Sequence, residues 1–150
     1  MATKVAECVF LDTNVLVHAA SLQAPLHEQA LKAVQSRYEE GLELWVSRQV
    51  LREYLAVLTR TQSYAMPRSA AILAAEVRHL QSRFSIAEDG PAVTETLLDL
   101  VVRLGIGGKQ VHDANIIATM LVYGVPTLLT DNVADFARYE NLVRVVPLKS

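Results

Sequence analysis

The sequence has little cysteine and no long apolar run, and each shortage excludes a class of protein. Cys8 is the only cysteine among the 150 residues, so the chain cannot form an internal disulfide. No apolar run approaches the ~18 residues that a membrane-spanning helix needs. The segment Met1 to Glu7 also lacks the basic and apolar pattern of a signal peptide. We therefore expect a cytoplasmic protein without membrane contacts, with Cys8 packed in its core.

The chain also lacks the basic excess that is typical of nucleic-acid-binding proteins. Its formal net charge is -2, and its arginines are spread from Arg37 to Arg144 without a dense basic tract. This balance does not exclude a nucleic acid ligand. A site built from carboxylates becomes locally cationic only when it binds metal ions, which the formal charge does not count.

Apolar residues are plentiful, and their arrangement predicts an α/β fold. They make up 51% of the chain, enough for a sizeable core in a single domain spanning residues 1–150. Short apolar runs predict strands at residues 8–11, 42–46, 84–87, 126–129 and 143–146. Segments with helical spacing or helix signals separate them, at residues 14–20, 25–40, 47–58, 66–82, 91–104, 110–123 and 133–139. This alternation predicts a parallel sheet with right-handed crossovers.

The most informative stretch is Asp12-Thr13-Asn14, which follows the first apolar strand directly. Polar residues of these types mark a strand end and a helix start. In open α/β folds, ligands bind at the carboxyl edge of the sheet, where Asp12 would lie. The alternative is that Asp12 or Asn14 only caps the helix that follows.

Other acids occupy equivalent places later in the chain. Glu53 falls in the second turn of a helix, Asp113 in a first turn, and the segment Asp131 to Asp135 directly follows the fourth strand. Because every helix of such a fold starts at the carboxyl edge, we expect these acids to share that edge with Asp12. For each acid taken singly, a cap or a favourable interaction with the helix dipole is the alternative interpretation.

Several carboxylates at one edge, without the ligand spacing of histidine or cysteine, suit a hard divalent cation such as Mg²⁺ or Mn²⁺. Asp113 lies beside Ile116 and Ile117 on an otherwise apolar helix, so its charge needs a partner that a metal ion would supply. Metal ions held by carboxylates are used for phosphodiester hydrolysis. The pattern therefore predicts a metal-dependent hydrolase.

The ordered motifs resemble those of PIN-domain ribonucleases, and most closely the toxin of VapC-type toxin–antitoxin pairs. They follow the family's order and span nearly the whole chain. The matching segments are Leu11-Asp12-Thr13-Asn14, Ser47 to Glu53, His112-Asp113-Ala114-Asn115-Ile116-Ile117-Ala118 and Thr130-Asp131-Asn132-Val133-Ala134-Asp135-Phe136.

This resemblance implies a three-layer α/β/α fold with a five-stranded parallel sheet of order 3-2-1-4-5. It also implies a Mg²⁺-dependent endoribonuclease that acts on RNA, is usually a homodimer and is held inactive by an antitoxin protein. An antitoxin segment would lie across the cleft and could offer an arginine to the carboxylates. The residues carried over as catalytic and metal-binding are Asp12, Glu53, Asp113 and Asp135, with Thr13, Asn14, Thr130 and Asn132 in support.

The choice of Asp135 over Asp131 as the fourth acid also rests on direction. Side chains alternate along a strand, so Thr130 and Asn132 share one side and Asp131 points to the other, toward solvent. If Asn132 caps the short helix, a capping-box-like arrangement brings Asp135 back toward it. Asp131 is therefore the less favoured ligand, and for Asp135 a purely dipolar role is the alternative.

Two other enzyme classes fit less well, and one non-enzymatic function stays open. Haloacid-dehalogenase-like phosphatases carry Asp-x-Asp-x-Thr after their first strand, whereas this chain has Asn14 and Leu16 at the second and third of those positions. The pair His112-Asp113 resembles that of HD-type phosphohydrolases, which need further histidines and an all-helical frame. A PIN-like module that binds RNA or a partner without cutting remains the alternative.

The remaining expectations concern assembly and the other histidines. The helices between Ser47 and Ser82 carry more apolar residues than one core face needs, which favours a dimer interface. The residues behind this expectation are Tyr54, Leu58, Tyr64 and Met66.

His18, His27 and His79 lack ligand spacing and are expected at the surface or at positions where their hydrogen bonds are satisfied.

Overall fold

The structure is a computed structural model that describes residues 7–60 and 68–149. Within those ranges the strands are β1 Cys8–Leu11, β2 Glu43–Ser47, β3 Ser85–Ala87, β4 Thr127–Thr130 and β5 Arg144–Pro147. The helices are α1 Thr13–Ala20, α2 His27–Glu39, α3 Arg48–Leu58, α4 Ala70–Arg83, α5 Pro91–Leu104, α6 Gln110–Tyr123 and a 3₁₀ helix Val133–Tyr139.

All neighbouring strands run parallel, in the order β3-β2-β1-β4-β5. Phe10 of β1 lies opposite Trp45 on one side and Leu128 on the other. Helices cover both faces, so the central strands β1 and β4 are almost completely buried, and β4 is apolar between its two terminal threonines. The predicted fold class and strand order are confirmed. This order places the carboxyl ends of β1 and β4 side by side.

Side-chain caps fix where α1 and α3 begin at that edge. Asp12 precedes α1 and accepts a hydrogen bond from the Thr13 amide. Ser47 precedes α3 and accepts one from the amide of Val50. Helices α1 and α3 therefore start at defined points beside the ends of β1 and β2. Helices α5 and α6 instead have well-defined ends, at Gly105 and Gly124, which adopt the left-handed conformation with φ of 62° and 69°.

Two helices differ from their predicted course. Pro25 belongs to a turn rather than to the first turn of α2, because the His27 amide bonds back to the carbonyl of Ala24 and the helix begins at His27. Helix α4 begins at Ala70, capped by Ser69, whereas the predicted start at Met66 and Pro67 lies outside the described residues.

The surplus apolar residues of α3 belong to the core and do not form a free surface. Tyr54 and Leu58 are 2% and 5% exposed, because α3 packs against both α1 and α4 and so needs apolar residues on two sides. The expectation that these residues mark an exposed patch is therefore wrong, while Tyr64 and Met66 lie outside the described residues. Leu31 on α2 and Ile72 on α4 are 43% and 53% exposed.

The remaining large exposed apolar side chains include Leu98 and Val102 on α5. Cys8 packs partly buried against the core, in agreement with its predicted role. None of the helices in the described ranges is both long and apolar enough to cross a bilayer.

Candidate active site

Asp12 is the centre of the polar residues at the carboxyl edge. It follows β1 directly, and its amide donates to the carbonyl of Leu129 in β4 at 3.1 Å. Its side chain is buried, with Oδ1 accepting from the Thr13 amide at 2.8 Å and Oδ2 accepting from the Thr130 hydroxyl at 2.7 Å. Burial raises the pKa of Asp12, and the hydrogen bonds from Thr130 and Thr13 oppose that rise. The carboxylate thus caps α1 and faces the shared edge at the same time.

Asn14 and Thr130 hold Asp12 from the neighbouring elements. The Asn14 amide donates to Asp12 Oδ2 at 3.1 Å, and its oxygen accepts from the amide of Asp131 at 3.0 Å. The Thr130 hydroxyl donates to Asp12 and accepts from the amide of Asn132 at 3.0 Å. Because a hydroxyl has one proton, this pattern requires Asp12 to accept at Oδ2, as an ionised carboxylate does. The end of β4 is therefore tied to the start of α1.

Glu53 lies beside Asp12, on α3. Its Oε2 accepts from the hydroxyl of Thr13 at 3.0 Å, and its Oε1 accepts from the side-chain amide of Gln49 at 2.8 Å. Thr13 thus contacts two carboxylates at once, Asp12 through its backbone and Glu53 through its side chain. Glu53 lies on the same side of the sheet edge as Asp12.

Asp113, in the first turn of α6, completes a group of four mutually repelling carboxylates. Its pKa is raised to about 6, mainly by burial and then by the negative charges of Asp12, Asp135 and Glu53, while His112 acts in the opposite direction. Repulsion between the acids contributes to this rise in the pKa of Asp113, but the larger cause is the loss of solvent. The interaction places Asp113 within electrostatic reach of the other three acids.

The two acids after β4 face different neighbours. Asp135 interacts electrostatically with Asp113, whereas Asp131 Oδ2 lies 3.3 Å from Nε2 of His18 on α1. The capping box expected between Asn132 and Asp135 is absent, because the segment is a 3₁₀ helix and Asn132 makes no side-chain capping hydrogen bond. Only backbone atoms join them, with the Asp135 amide donating to the Asn132 carbonyl at 3.1 Å.

The histidines occupy the positions expected of them. His18 is buried and lies against Asp131, and His27 Nδ1 lies 2.9 Å from the carbonyl of His18. His79 is exposed. His112 is exposed as well, while its carbonyl oxygen points inward to Gln49. The side chains that could bind a metal ion at this edge are therefore the carboxylates rather than the histidines.

Sequence reasoning missed Gln49 and Asn115. Gln49 is buried on α3, and its side-chain nitrogen donates to Glu53 and to the carbonyl of His112, at 2.8 and 2.9 Å. Its oxygen accepts from the Asn115 amide at 2.8 Å. Gln49 precedes Glu53 by four residues, the spacing that puts two side chains on one helix face, so its contact with Glu53 could have been predicted from the sequence. Its contacts with His112 and Asn115 on α6 could not, because no sequence pattern relates α3 to α6.

The donor set of the site suits a hydrated Mg²⁺ ion. Within residues 7–60 and 68–149, none of the four acids forms an ion pair with a basic side chain. In the same ranges no three acidic, histidine or cysteine side chains converge on one closed metal position. Mg²⁺ keeps several of its waters and uses only one or two carboxylates, so it needs no closed cage of protein ligands. An open group of acids without cations fits that ion.

A mostly apolar cavity of about 570 Å³ lies elsewhere, between α1, α2 and α4. Leu16, Tyr54 and Phe84 line it, and none of the four acids does. This cavity is therefore separate from the carboxylate site.

Comparisons with solved structures found proteins of the same fold. VapBC2 from Rickettsia felis, bound to a DNA fragment of its promoter, has 19% identity and a TM-score of 0.65, covering 93% of this chain and 98% of the other. A toxin–antitoxin complex from Klebsiella pneumoniae has 20% identity and a TM-score of 0.65, covering 95% and 98%. VapC20 from Mycobacterium tuberculosis, a sarcin-ricin loop cleaving toxin, has 20% identity and a TM-score of 0.59, covering 80% and 86%.

These likenesses show a common fold. A search of curated protein sequences found no significant match. The family model for the PIN domain matches residues 9–142. This range contains β1 without its first residue and the whole of β2, β3 and β4, and it ends before β5. Since that match spans most of the chain, the protein belongs to the PIN domain family.

Proposed function

We propose that this protein is a Mg²⁺-dependent endoribonuclease that hydrolyses phosphodiester bonds in RNA. The observation that carries the proposal is the group of four carboxylates at the carboxyl edge, which have no ion-pair partner among the described residues. One of them, Asp12, is buried and held by three hydrogen bonds. Burying a charge is costly unless a partner compensates it, and a divalent cation would do so. Membership of the PIN family and the name of one structural neighbour as a cleaving toxin support the same activity.

Asp12 and Asp113 would hold the ion, with Glu53 and Asp135 contributing directly or through water, and Mn²⁺ could replace Mg²⁺. When bound, the cation would supply Lewis-acid stabilisation of the charge that develops on the phosphate. Thr130 and Asn14 keep the Asp12 carboxylate in one orientation, and Thr13 does the same for Glu53. These contacts fix the ligands before the ion arrives, which limits the reorganisation that binding requires.

The test is cleavage of a mixed RNA substrate with Mg²⁺ or Mn²⁺, with and without a chelator, for the wild-type protein and Asp12→Asn. We expect the chelator and the substitution each to abolish most cleavage. The substitution replaces one of the two accepting oxygens by an amide nitrogen, which cannot accept from Thr13, Thr130 or Asn14, a loss of about 1 kcal/mol for each hydrogen bond. Relief of charge burial offsets that cost, so the melting temperature should change little. Cleavage by Asp12→Asn at the wild-type rate would show that the site is wrong.

The alternative is a PIN-like module that binds RNA or a partner without cutting. It would bind the substrate and leave it intact with either metal ion. A haloacid-dehalogenase-like phosphatase has lost its support, because the chain belongs to the PIN family and has Asn14 and Leu16 where that class needs Asp and Thr.

We further propose that the chain is the toxin of a type II toxin–antitoxin pair, acting in the cytoplasm. Structural neighbours include toxin–antitoxin complexes, so a cognate antitoxin protein is the expected partner. Expression in a bacterial host should arrest growth, and Asp12→Asn should relieve that arrest. The homodimer implied by the family resemblance would appear in light scattering at micromolar concentration.

A further inference from the structure

Gln49 connects two of the acid-bearing helices through a single buried amide. Its nitrogen donates to Glu53 Oε1 on its own helix and to the carbonyl of His112 on α6. Its oxygen accepts from the Asn115 side chain, also on α6. His112 and Asn115 flank Asp113 in the sequence. The amide therefore joins Glu53 to the backbone segment that carries Asp113.

The orientation of this amide is determined by its partners. If the amide were inverted, its oxygen would face the Glu53 carboxylate and the His112 carbonyl, so that acceptors would meet acceptors. Its nitrogen would then face the Asn115 amide nitrogen, a donor against a donor. Gln49 is 6% exposed, so water cannot easily replace a lost partner, and an unsatisfied group at this position would be costly.

The connection also holds Glu53 in place. Glu53 and Asp113 are like-charged carboxylates on α3 and α6, and the Gln49 amide is hydrogen-bonded to both helices. A glutamate side chain is long and loses considerable rotamer freedom when it is held in place. Thr13 holds one Glu53 oxygen and Gln49 the other, so both oxygens are fixed before any cation is present.

We propose that Gln49, oriented by Asn115, is a positioning residue that holds Glu53 at the distance from Asp113 that metal binding needs. This inference rests on the proposed metal-dependent function. Residues that orient metal ligands commonly contribute about 10- to 100-fold to metal affinity or activity. The same role is assigned to Gln49, whose amide contacts Glu53 on α3 and both His112 and Asn115 on α6.

Two substitutions separate positioning from charge. Gln49→Met keeps the length of the side chain and removes its hydrogen bonds. Asn115→Asp keeps the shape but sets an acceptor against the Gln49 oxygen, and it adds a negative charge near the site. If charge alone governed the site, Asn115→Asp would bind cations more tightly, whereas the positioning role predicts weaker binding in both variants.

The primary measurement is calorimetric titration with Mn²⁺, which needs no cleavage. We expect both variants to bind Mn²⁺ about 10- to 100-fold more weakly. Cleavage should recover in part at raised metal concentration, with KM for RNA unchanged. Gln29→Met, an exposed glutamine on α2, is the matched control and should bind as the wild type does. Val34→Ala, also on α2, creates a cavity in the core and shows how lost stability alone affects Mn²⁺ affinity.

Unchanged affinity in both variants, tighter binding by Asn115→Asp, or an equal loss in Val34→Ala would overturn the proposal. If the wild type neither binds the ion nor cleaves RNA, the proposed function fails, and a crystal structure of Gln49→Met then decides about Gln49. A Glu53 side chain displaced from Thr13 would support the positioning role. A side chain still in place would overturn it.

Discussion

Asp131 and Asp135 are four residues apart and face different surroundings. Asp131 contacts His18 of α1, whereas the negative charge of Asp135 contributes to the raised pKa of Asp113. We therefore expect Asp135→Ala to lose most Mg²⁺-dependent cleavage and Asp131→Ala to keep most of it. Melting temperatures of both variants are compared first, so that a folding defect is recognised. The reverse pattern of activities would make the strand-end carboxylate the true ligand.

The raised carboxyl pKa values predict a pH dependence. The pKa of Asp113 is about 6, and that of Asp12 is raised in the same direction. A cation binds the ionised carboxylates, so cleavage at a fixed, subsaturating Mg²⁺ concentration should fall as the pH is lowered through about 6. Added Mg²⁺ should shift the midpoint of this fall to lower pH. A rate that stays flat between pH 7 and pH 5 would contradict the prediction.

The free energy of unfolding of the metal-free protein should respond to pH in the opposite direction from cleavage and rise as the pH is lowered. The pKa of Asp113 is 3.8 as an ordinary carboxyl and about 6 in the fold, so the folded state holds the proton more tightly. This contribution to stability is complete below pH 3.8 and is lost as the pH rises through about 6. Asp113→Asn removes the charge and should stabilise the metal-free protein at pH 7.

At the scale of single elements, the sequence predicted α5 and α6 to the residue, because Pro91, Gly105 and Gly124 mark their ends. The strands β2, β4 and β5 each begin and end one residue later than predicted. Apolar patterns report burial, whereas a strand is defined by backbone pairing. That pairing extends into polar residues such as Ser47 and Thr130, which are the ones that matter for the site.

The positions of Asp12, Glu53, Asp113 and Asp135 near one edge followed from sequence, because helix starts share that edge in any parallel α/β fold. Their roles stay a prediction. The contact of Gln49 with Asn115 and the absence of the Asn132 capping box did not follow. The first depends on the packing of α3 against α6. The second depends on whether a short helix winds as α or 3₁₀, which a seven-residue pattern does not reveal.

The cap of α3 offers a test at this scale. Ser47 is 1% exposed and accepts from the Val50 amide, so Ser47→Ala should cost about 1 kcal/mol and lower the melting temperature by about 2–4 °C. Because α3 carries Gln49 and Glu53, Mn²⁺ affinity should also fall. Ser69→Ala removes the exposed cap of α4 and should leave Mn²⁺ affinity unchanged. If the two variants bind Mn²⁺ with equal affinity, the cap of α3 does not affect the site.

At the scale of the whole molecule, the net charge is -2, so the proposed binding of RNA would depend on local cations. Lys109 is exposed one helical turn before Asp113, and Arg138 contacts Gln110 at the start of the same helix. Arg48 and Arg52, by contrast, already face Glu88 and Asp89. Lys109 and Arg138 are thus the cations best placed to meet phosphates beside the acids.

We expect Lys109→Ala and Arg138→Ala to raise KM for RNA with little change in kcat. Each should also lower the slope of log affinity against log salt by about 1 if it removes one phosphate contact. Arg103→Ala is the control, because α5 starts at the carboxyl edge and its last turn lies at the opposite one. A salt slope that matches the wild type in both variants would place the RNA elsewhere.

The pairing of β1 with β4 also makes the site depend on contacts between distant parts of the sequence. Asp12 and its partner Thr130 are 118 positions apart, and Asp113 and Asp135 also lie far along the chain from Asp12 and Glu53. Contacts of large sequence separation form slowly, because the entropy of closing a long loop is lost before the contact is gained. We therefore expect a partly folded chain, in which β4 has not yet joined β1, to lack the complete group of four acids.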